Sequence, residues 1–317
     1  MDRNLPERIR ENIARVIVGK DETVRLLLTS LFAGGHVLID DVPGTGKTLM
    51  AKSLAVSSGM KFSRIQFTPD LLPSDITGLN YFDQGESAFV FRPGPVFTHV
   101  LLADESNRAT PRTQSALLEC MAEGQVTVDG VTRKLEDPFF VIATQNPVET
   151  LGTFPLPAAQ MDRFLMRIHM GSLTLEEELS MISRFIEKEP LETLSPVTSA
   201  TEIQHLRDAA RTVYVHRDLQ TYIARVVQAT RRFSSSGAII SGASPRGTLA
   251  LVRASQSYAS VSGRDYVTPE DIRAVSVPVL AHRCLSENTG TEEERIAQVR
   301  TITETVEVPT EDWRRSS

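Results

Sequence analysis

Gly44, Gly46, Lys47 and Thr48 close the stretch His36 to Thr48, which reads HVLIDDVPGTGKT. Glycines at this spacing let the backbone curl so that successive N–H groups point inward at an anion, and a helix that begins there adds its positive end. Lys47 can then reach the β and γ phosphates of a nucleotide while the Thr48 hydroxyl completes a magnesium shell. Asp41 stands where the usual G-x-x-x-x-G-K-[ST] pattern has its first glycine, a departure that leaves the phosphate-touching parts in place. A ligand-free glycine turn between strand and helix is the alternative for this motif taken alone.

Further along, Asp104-Glu105 follows the apolar run His99 to Ala103. In a chain that already holds a phosphate loop this is a Walker B arrangement, with Asp104 holding magnesium through water and Glu105 orienting and polarising the attacking water. Asn146 follows another apolar run, Phe139 to Thr144. It offers an uncharged polar group for the γ-phosphate and the lytic water, or simply a turn before Pro147. Arg163, in Met161 to Phe164 (MDRF), reads as a surface salt-bridge residue or as an arginine finger for a neighbouring subunit. Arg246 follows Ser244-Pro245 in the first turn of a predicted helix, where a cation opposes the helix dipole, so an anion-binding role is more attractive than a local stabilising one.

The elements that must carry these residues follow from periodicity and punctuation. Val37 to Ile39 fits a strand buried on both faces, and the segment after Lys47 fits a helix to about Ser58, closed by Gly59. Helices are predicted over Leu5 to Arg15 and from about Asp21 to Gly34-Gly35, and strands over Phe62 to Phe67, His99 to Ala103, Phe139 to Thr144 and after Phe164. Thr68 to Gly78, which contains Pro69 and Pro73, fits a short helix between turns, and Thr110 with Pro111 starts a longer one that Gly124 stops. Two hairpins are expected, about 79–92 with Gly85 at its tip and 125–135 around Asp129-Gly130. Beyond Gly171 the pattern is helix after helix, with capping boxes at Thr174/Glu177 and Ser199/Glu202, a helix over Asp218 to Phe233, and starts at Ser244 and Thr268. The division is therefore an α/β nucleotide-binding domain over 1–171 with two hairpin insertions, a linker and connecting helix over 172–190, and an all-helical domain over 191–317.

With 41% hydrophobic and 23% charged residues in 317, the composition is that of an ordinary soluble globular protein of about two domains. The polar start MDRNLPERIRENI is not a signal peptide, and no apolar run reaches membrane-spanning length, so a cytoplasmic location without membrane insertion is expected. Cys120 and Cys284 lack metal or redox spacing and read as small hydrophobes in helices. A net charge of −6 argues against nucleic acid as a partner. The Ser234-Ser235-Ser236 run reads as a loop.

The chain resembles the MoxR-type AAA+ ATPases. The resemblance rests on GKT at Gly46 to Thr48, LLADESNRATPRTQSALLECMAEGQVTVDG from Leu101, IATQNPVETLGTFPLPAAQMDRF from Ile142 and SGASPRG from Ser241, and it runs from Val18-Gly19 to Val308-Pro309. It implies an AAA+ P-loop domain with a five-stranded parallel sheet, a C-terminal helical lid, and ring oligomers that are usually hexamers. It implies ATP and Mg2+ as cofactors, held by Walker A residues Pro43, Gly44, Thr45, Gly46, Lys47, Thr48 and Leu49 with Walker B residues Asp104 and Glu105. Val18 and Gly19 match the segment lining the adenine pocket, Asn146 sensor 1, Arg163 the arginine finger and Arg246 sensor 2, in its own subunit or the next. The hairpins match the helix-2 and pre-sensor insertions, which face the ring pore. Lys20 and Ser106 depart from the common residue types without touching the expected chemistry. Members act as chaperones that remodel partner proteins or insert cofactors into them, often with von Willebrand factor A domain partners. Two other readings stand beside an ATP-driven remodeller: a nucleic-acid motor of the same branch using the hairpins, and a nucleotide-controlled assembly module that does not hydrolyse. The water-activating Glu105 argues against the latter.

Overall fold

The computed structural model describes residues 4–147, 152–235, 241–284, 291–310 and 313. Val148 to Leu151 of the motif after Ile142 lie outside the described residues; so does Ser236 of the serine run, whose Ser234 and Ser235 end a helix instead of forming a loop. Two helices, α1 (Leu5–Ala14) and α2 (Asp21–Ala33), lead to β1 (Val37–Asp40), α3 (Lys47–Ser57), β2 (Phe62–Gln66) and the short α4 (Pro73–Thr77). The hairpin β3 (Gly78–Asp83) and β4 (Ala88–Pro93) precedes β5 (Val100–Asp104) and α5 (Pro111–Glu123). A second hairpin, β6 (Gln125–Val128) and β7 (Val131–Lys134), precedes β8 (Phe140–Gln145), α6 (Ala158–Met161) and β9 (Met166–Ile168). The rest is helical: α7 (Leu175–Glu187), α8 (Ala200–Arg211), α9 (Arg217–Ser235), α10 (Pro245–Val261), α11 (Pro269–Leu280) and α12 (Glu292–Thr305).

The five parallel strands lie in the order β2-β5-β8-β1-β9, so the phosphate-loop strand sits between β8 and the last strand. Runs such as VLID and VLLAD are buried at every position, apolar up to the closing aspartate, because both faces of the sheet are covered. Alternate residues serve different cores. Val37, Ile39, Val100, Leu102, Phe140 and Ile142 pack in one with α1, α2, α3 and the C-terminal helices. Leu38, Leu101, Ala103, Val141 and Ala143 pack in the other with residues of α5 such as Leu117 and Leu118. The helical half therefore shares a continuous apolar core with one face of the nucleotide sheet.

Both predicted hairpins form. In the second, Asp129 (φ 49°) and Gly130 (φ 78°) take the two left-handed positions of its tight turn. The hairpins also touch each other: Asn80 Nδ2 donates to Asp129 Oδ2 at 2.7 Å, and the Arg133 guanidinium lies 3.8 Å from the Phe91 ring centroid. Capping boxes close at Thr174/Glu177 and Ser199/Glu202 as expected. Thr110 differs, because its hydroxyl engages that of Thr113 (3.2 Å) instead of a backbone N–H. Cys120 is buried in α5, whereas the buried Cys284 lies just past a 3-10 turn and not in a helix. The helix α12 was not anticipated, although Thr291 and Glu294 form its capping box.

Candidate functional site

The site begins with the turn that joins β1 to α3. Gly44 (φ 85°) and Gly46 (φ 89°) both sit in the left-handed region, where a side chain is strained, and a Cβ added at either would meet nothing within 4 Å. That leaves an open, backbone-lined cradle at the N-terminus of an eleven-residue helix, with Lys47 and Thr48 in its first turn. Lys47 Nζ curls over the loop, donating to the carbonyls of Asp41 (2.6 Å) and Val42 (3.1 Å). Pro43 and Thr45 complete the turn, with the Thr45 hydroxyl donating to the Val42 carbonyl at 3.2 Å, and Leu49 follows in the first turn of α3.

Strand register brings the acidic residues to the same edge. Asp40 pairs with Gln145, and Ala103 pairs with Ala143, so Asp104, Glu105 and Asn146 emerge beside the loop. Asp104 Oδ1 accepts from the Thr144 hydroxyl at 2.6 Å and Oδ2 from Arg64 at 2.7 Å. Glu105 holds φ 55°, a strained conformation for a non-glycine residue at a candidate site. Its carboxylate accepts from Gln66 Nε2 (2.8 Å) and Arg108 (2.9 Å), while its own N–H donates to the Thr144 hydroxyl at 2.9 Å. Asn146 is 5% exposed. The donor set fits a hydrated magnesium ion and a polyphosphate: a hydroxyl (Thr48), a carboxylate (Asp104), a lysine and an inward-curled backbone on one rim.

Asp41, the residue in place of the first glycine, has a use that its sequence position does not reveal. One carboxylate oxygen accepts from the Val42 N–H (2.8 Å); the other accepts from the N–H groups of Met170 (2.9 Å) and Gly171 (3.1 Å). The phosphate loop is thereby tied to the segment leading out of β9. Lys20, a sequence departure, binds the same segment by donating to the carbonyls of Gly171 (2.8 Å) and Ser172 (2.9 Å). Gly19 lies beside α7: a Cβ there would fall 2.4 Å from the Glu177 carboxyl carbon. Val18 and Gly19 thus stand at the mouth of the same region, between the loop and the linker.

Behind the loop lies a charged cluster absent from the sequence reading. Asp40, 1% exposed, pairs with Arg167, which also pairs with Glu292 of α12. His169 bridges the Asp40 carbonyl (2.9 Å) and the Glu292 carboxylate (3.1 Å). Burial raises the Asp40 pKa, whereas the Glu292 hydrogen bond raises that of His169. Against the cost of its own burial, Glu292 is held below its ordinary value by His169 and Arg167.

Arg163 and Arg246 are not in this assembly. Leu165 N donates to the His36 carbonyl, and Met166 pairs with Val37, so Arg163 precedes β9 at the opposite, N-terminal edge of the sheet. It donates to the Leu118 carbonyl at 2.7 Å and forms no salt bridge among the described residues. Arg246 lies in the same cleft as Arg163, 3.5 Å from Asp162, whose carboxylate also accepts from Arg283 at 2.7 Å. The four residues of β1 alone separate that cleft from the loop by about 13 Å. Buried His36 marks this end; its Nδ1 accepts from Val141 N–H (3.1 Å), so Nε2 donates to the Met121 carbonyl (3.0 Å), and burial lowers its pKa to about 4.

Comparison with known proteins agrees with this geometry. Residues 36–166 match the family profile of the ATPase family associated with various cellular activities (AAA), and 231–302 match an AAA lid domain profile. The chain is 48% identical to the uncharacterized protein YeaC of Bacillus subtilis, over 94% of this chain and 93% of that protein. It is 44% identical to the chaperone MoxR1 of Mycobacterium tuberculosis, over 87% of this chain and 74% of that one. The crystal structure of a candidate ATPase from Cytophaga hutchinsonii superposes with a TM-score of 0.89 at 39% identity, covering 97% of this chain and 96% of that one.

Proposed function

The chain belongs to the MoxR-type AAA+ ATPases and is an ATP-hydrolysing enzyme with a chaperone-type role; from that premise we propose that ATP and Mg2+ are bound between neighbouring copies in a ring and that hydrolysis drives remodelling of a partner protein. The observation that carries the reading is the separation just described. Lys47, Thr48, Asp104, Glu105 and Asn146 gather at one edge of the sheet, while Arg163 and Arg246 lie at the other, beyond reach of their own loop. Because Arg246 shares its cleft with Arg163, we assign both to the neighbour's nucleotide. Val18 and Gly19 border the base, and Pro43 to Leu49 the phosphates. Mg2+ held by Thr48 and Asp104 would neutralise charge on the β and γ phosphates. Glu105, released from Gln66 and Arg108, accepts the proton of the attacking water, which Asn146 orients. Arg163 and Arg246 stabilise the charge that develops on the transferred phosphoryl group.

A six-membered cytoplasmic ring with the hairpins facing its pore, a nucleotide domain over 1–171, a lid over 191–317 and a von Willebrand factor A domain partner complete the proposal. The exposed, edge-stacked Phe82 and Phe89 at the first hairpin suit an apolar client segment. Nucleic acid is disfavoured, since Arg133, half of the basic pair in the hairpins, is stacked on Phe91. The test is ATP hydrolysis by the purified protein and by Glu105→Gln across protein concentration, with assembly size measured in parallel. Turnover should rise more steeply than concentration and fall by roughly 10²- to 10⁴-fold in the variant, with nucleotide binding kept. Turnover strictly proportional to concentration in a monomeric preparation would sink the shared site.

A further inference from the structure

One helix presents an apolar stripe to solvent. Leu175, Leu179, Ile182 and Ile186 of α7, spaced four, three and four apart, lie on one face and are 70, 55, 49 and 75% exposed. Apolar residues in a helical stripe normally face a core, so this stripe is built to be covered. Exposed Glu176 and Glu178 flank it. The other side of the helix is already tied down, with Glu177 against Gly19 and Arg184 donating to the Ala14 carbonyl at 2.5 Å.

A surface of opposite character lies at the other edge of the sheet. The cleft of about 550 Å³ that holds Arg163 and Arg246 has Leu165 and Ala250 among its lining residues. Along its α10 wall, Leu249, 61% exposed, stands between Arg246 and Arg253, three residues after one and four before the other.

We propose that α7 of one copy seats its Leu175-to-Ile186 stripe against the Leu249–Arg253 face of α10 in the next copy, with the flanking glutamates meeting Arg253 and Arg246 left for the nucleotide. The inference rests on the shared-site reading and gives it a specific contact. The apolar stripe meets the exposed Leu249, and the charges that flank the two are opposite. The contact joins different surfaces of the two copies, so it is head-to-tail and can propagate into a ring. Since α7 starts beside Gly19, a copy docked on it would carry Arg163 and Arg246 to the nucleotide side of its neighbour. A lipid surface is a poorer match, because a membrane-lying helix carries basic residues beside its apolar face and this one carries glutamates.

The test mixes a copy carrying Ile182→Cys with one carrying Leu249→Cys under mild oxidation with Mg2+ and ATP; the native Cys120 and Cys284 are buried. A covalent dimer formed by the mixture and by neither variant alone is expected. In parallel, Leu179→Glu with Ile182→Glu on the intact chain should raise the concentration for half-maximal turnover at least tenfold while nucleotide binding and helical content stay unchanged. An oxidised dimer of Ile182→Cys alone would overturn the head-to-tail contact in favour of α7 against α7. An assembled, active ring that neither cross-links nor responds to the glutamates would overturn this contact and leave the shared site standing. A chain that stays monomeric and equally active at every concentration would overturn both. Sedimentation of the parent chain, but not of the glutamate variant, with phosphatidylcholine–phosphatidylglycerol vesicles would assign the stripe to a membrane instead.

Discussion

The two edges of the central sheet are chemical complements. At the carboxyl edge an open glycine cradle, a lysine, a hydroxyl and two carboxylates converge. At the amino edge Arg163, Arg246, Arg253 and Arg283 line one cleft, with Glu123 and Asp162 as the acidic residues among its lining. Parallel strands explain the division. All five carry their carboxyl ends to one side, so loops that leave strands build one site, while at the other edge Arg163, just ahead of β9, meets arginines of α10 and the turn after α11. In the shared-site proposal each edge is half of a phosphoryl-transfer site, and a second copy joins the halves.

The sharpest way to break this comparison is Arg163→Ala. It should lower turnover about 10³-fold or more with ATP affinity preserved, as followed by steady-state hydrolysis and nucleotide titration. Mixing that variant with Glu105→Gln should restore part of the rate, because in a randomly mixed ring about a quarter of interfaces pair an intact loop with an intact arginine. No recovery, in a mixture shown to co-assemble, would mean that each copy completes its own site.

The two histidines sharpen the comparison further, since the edges shift them oppositely. His36, buried neutral at the arginine end with a pKa of about 4, is protonated more readily in the unfolded chain. Its contribution is whole above about pH 6.5 and is lost as pH falls toward about 4, on the order of 3 kcal/mol in denaturant titrations. His36→Gln should flatten that acid limb. At the loop end, Asp41→Ala removes the acceptor for three backbone N–H groups and should weaken ATP binding roughly tenfold, about 1.4 kcal/mol. Smallest is the effect of His169, whose raised pKa makes its grip on Glu292 strongest in acid and loosens it as pH rises past the folded value. Hydrogen exchange of α12 should quicken over that rise, and His169→Gln should remove the dependence.

Local signals in the chain announced most of the fold. The strand-loop-helix around Gly44 and Gly46, the Asp129-Gly130 turn and the Thr174/Glu177 box depend on residues a few positions apart, and all form. The Asp40–Arg167–His169–Glu292 cluster joins residues more than 120 positions apart, which no local spacing encodes. Gln66 and Arg64 were equally hidden: a strand's partner is known only once the sheet order is known, and β2 lies beside β5. For α12 the Thr291/Glu294 box was a usable signal in a weakly apolar segment. Asp41 looked like a flaw in a motif because its partners, Met170 and Gly171, are far along the chain.

That aspartate makes the nucleotide grip and the strap to the helical half one mechanical part. Under the proposed remodelling, a load on the helical half has a direct path through Met170, Gly171 and a single carboxylate to the glycine loop, and tightening of the loop travels back along it. The proposed transmission sits where the usual motif has a glycine.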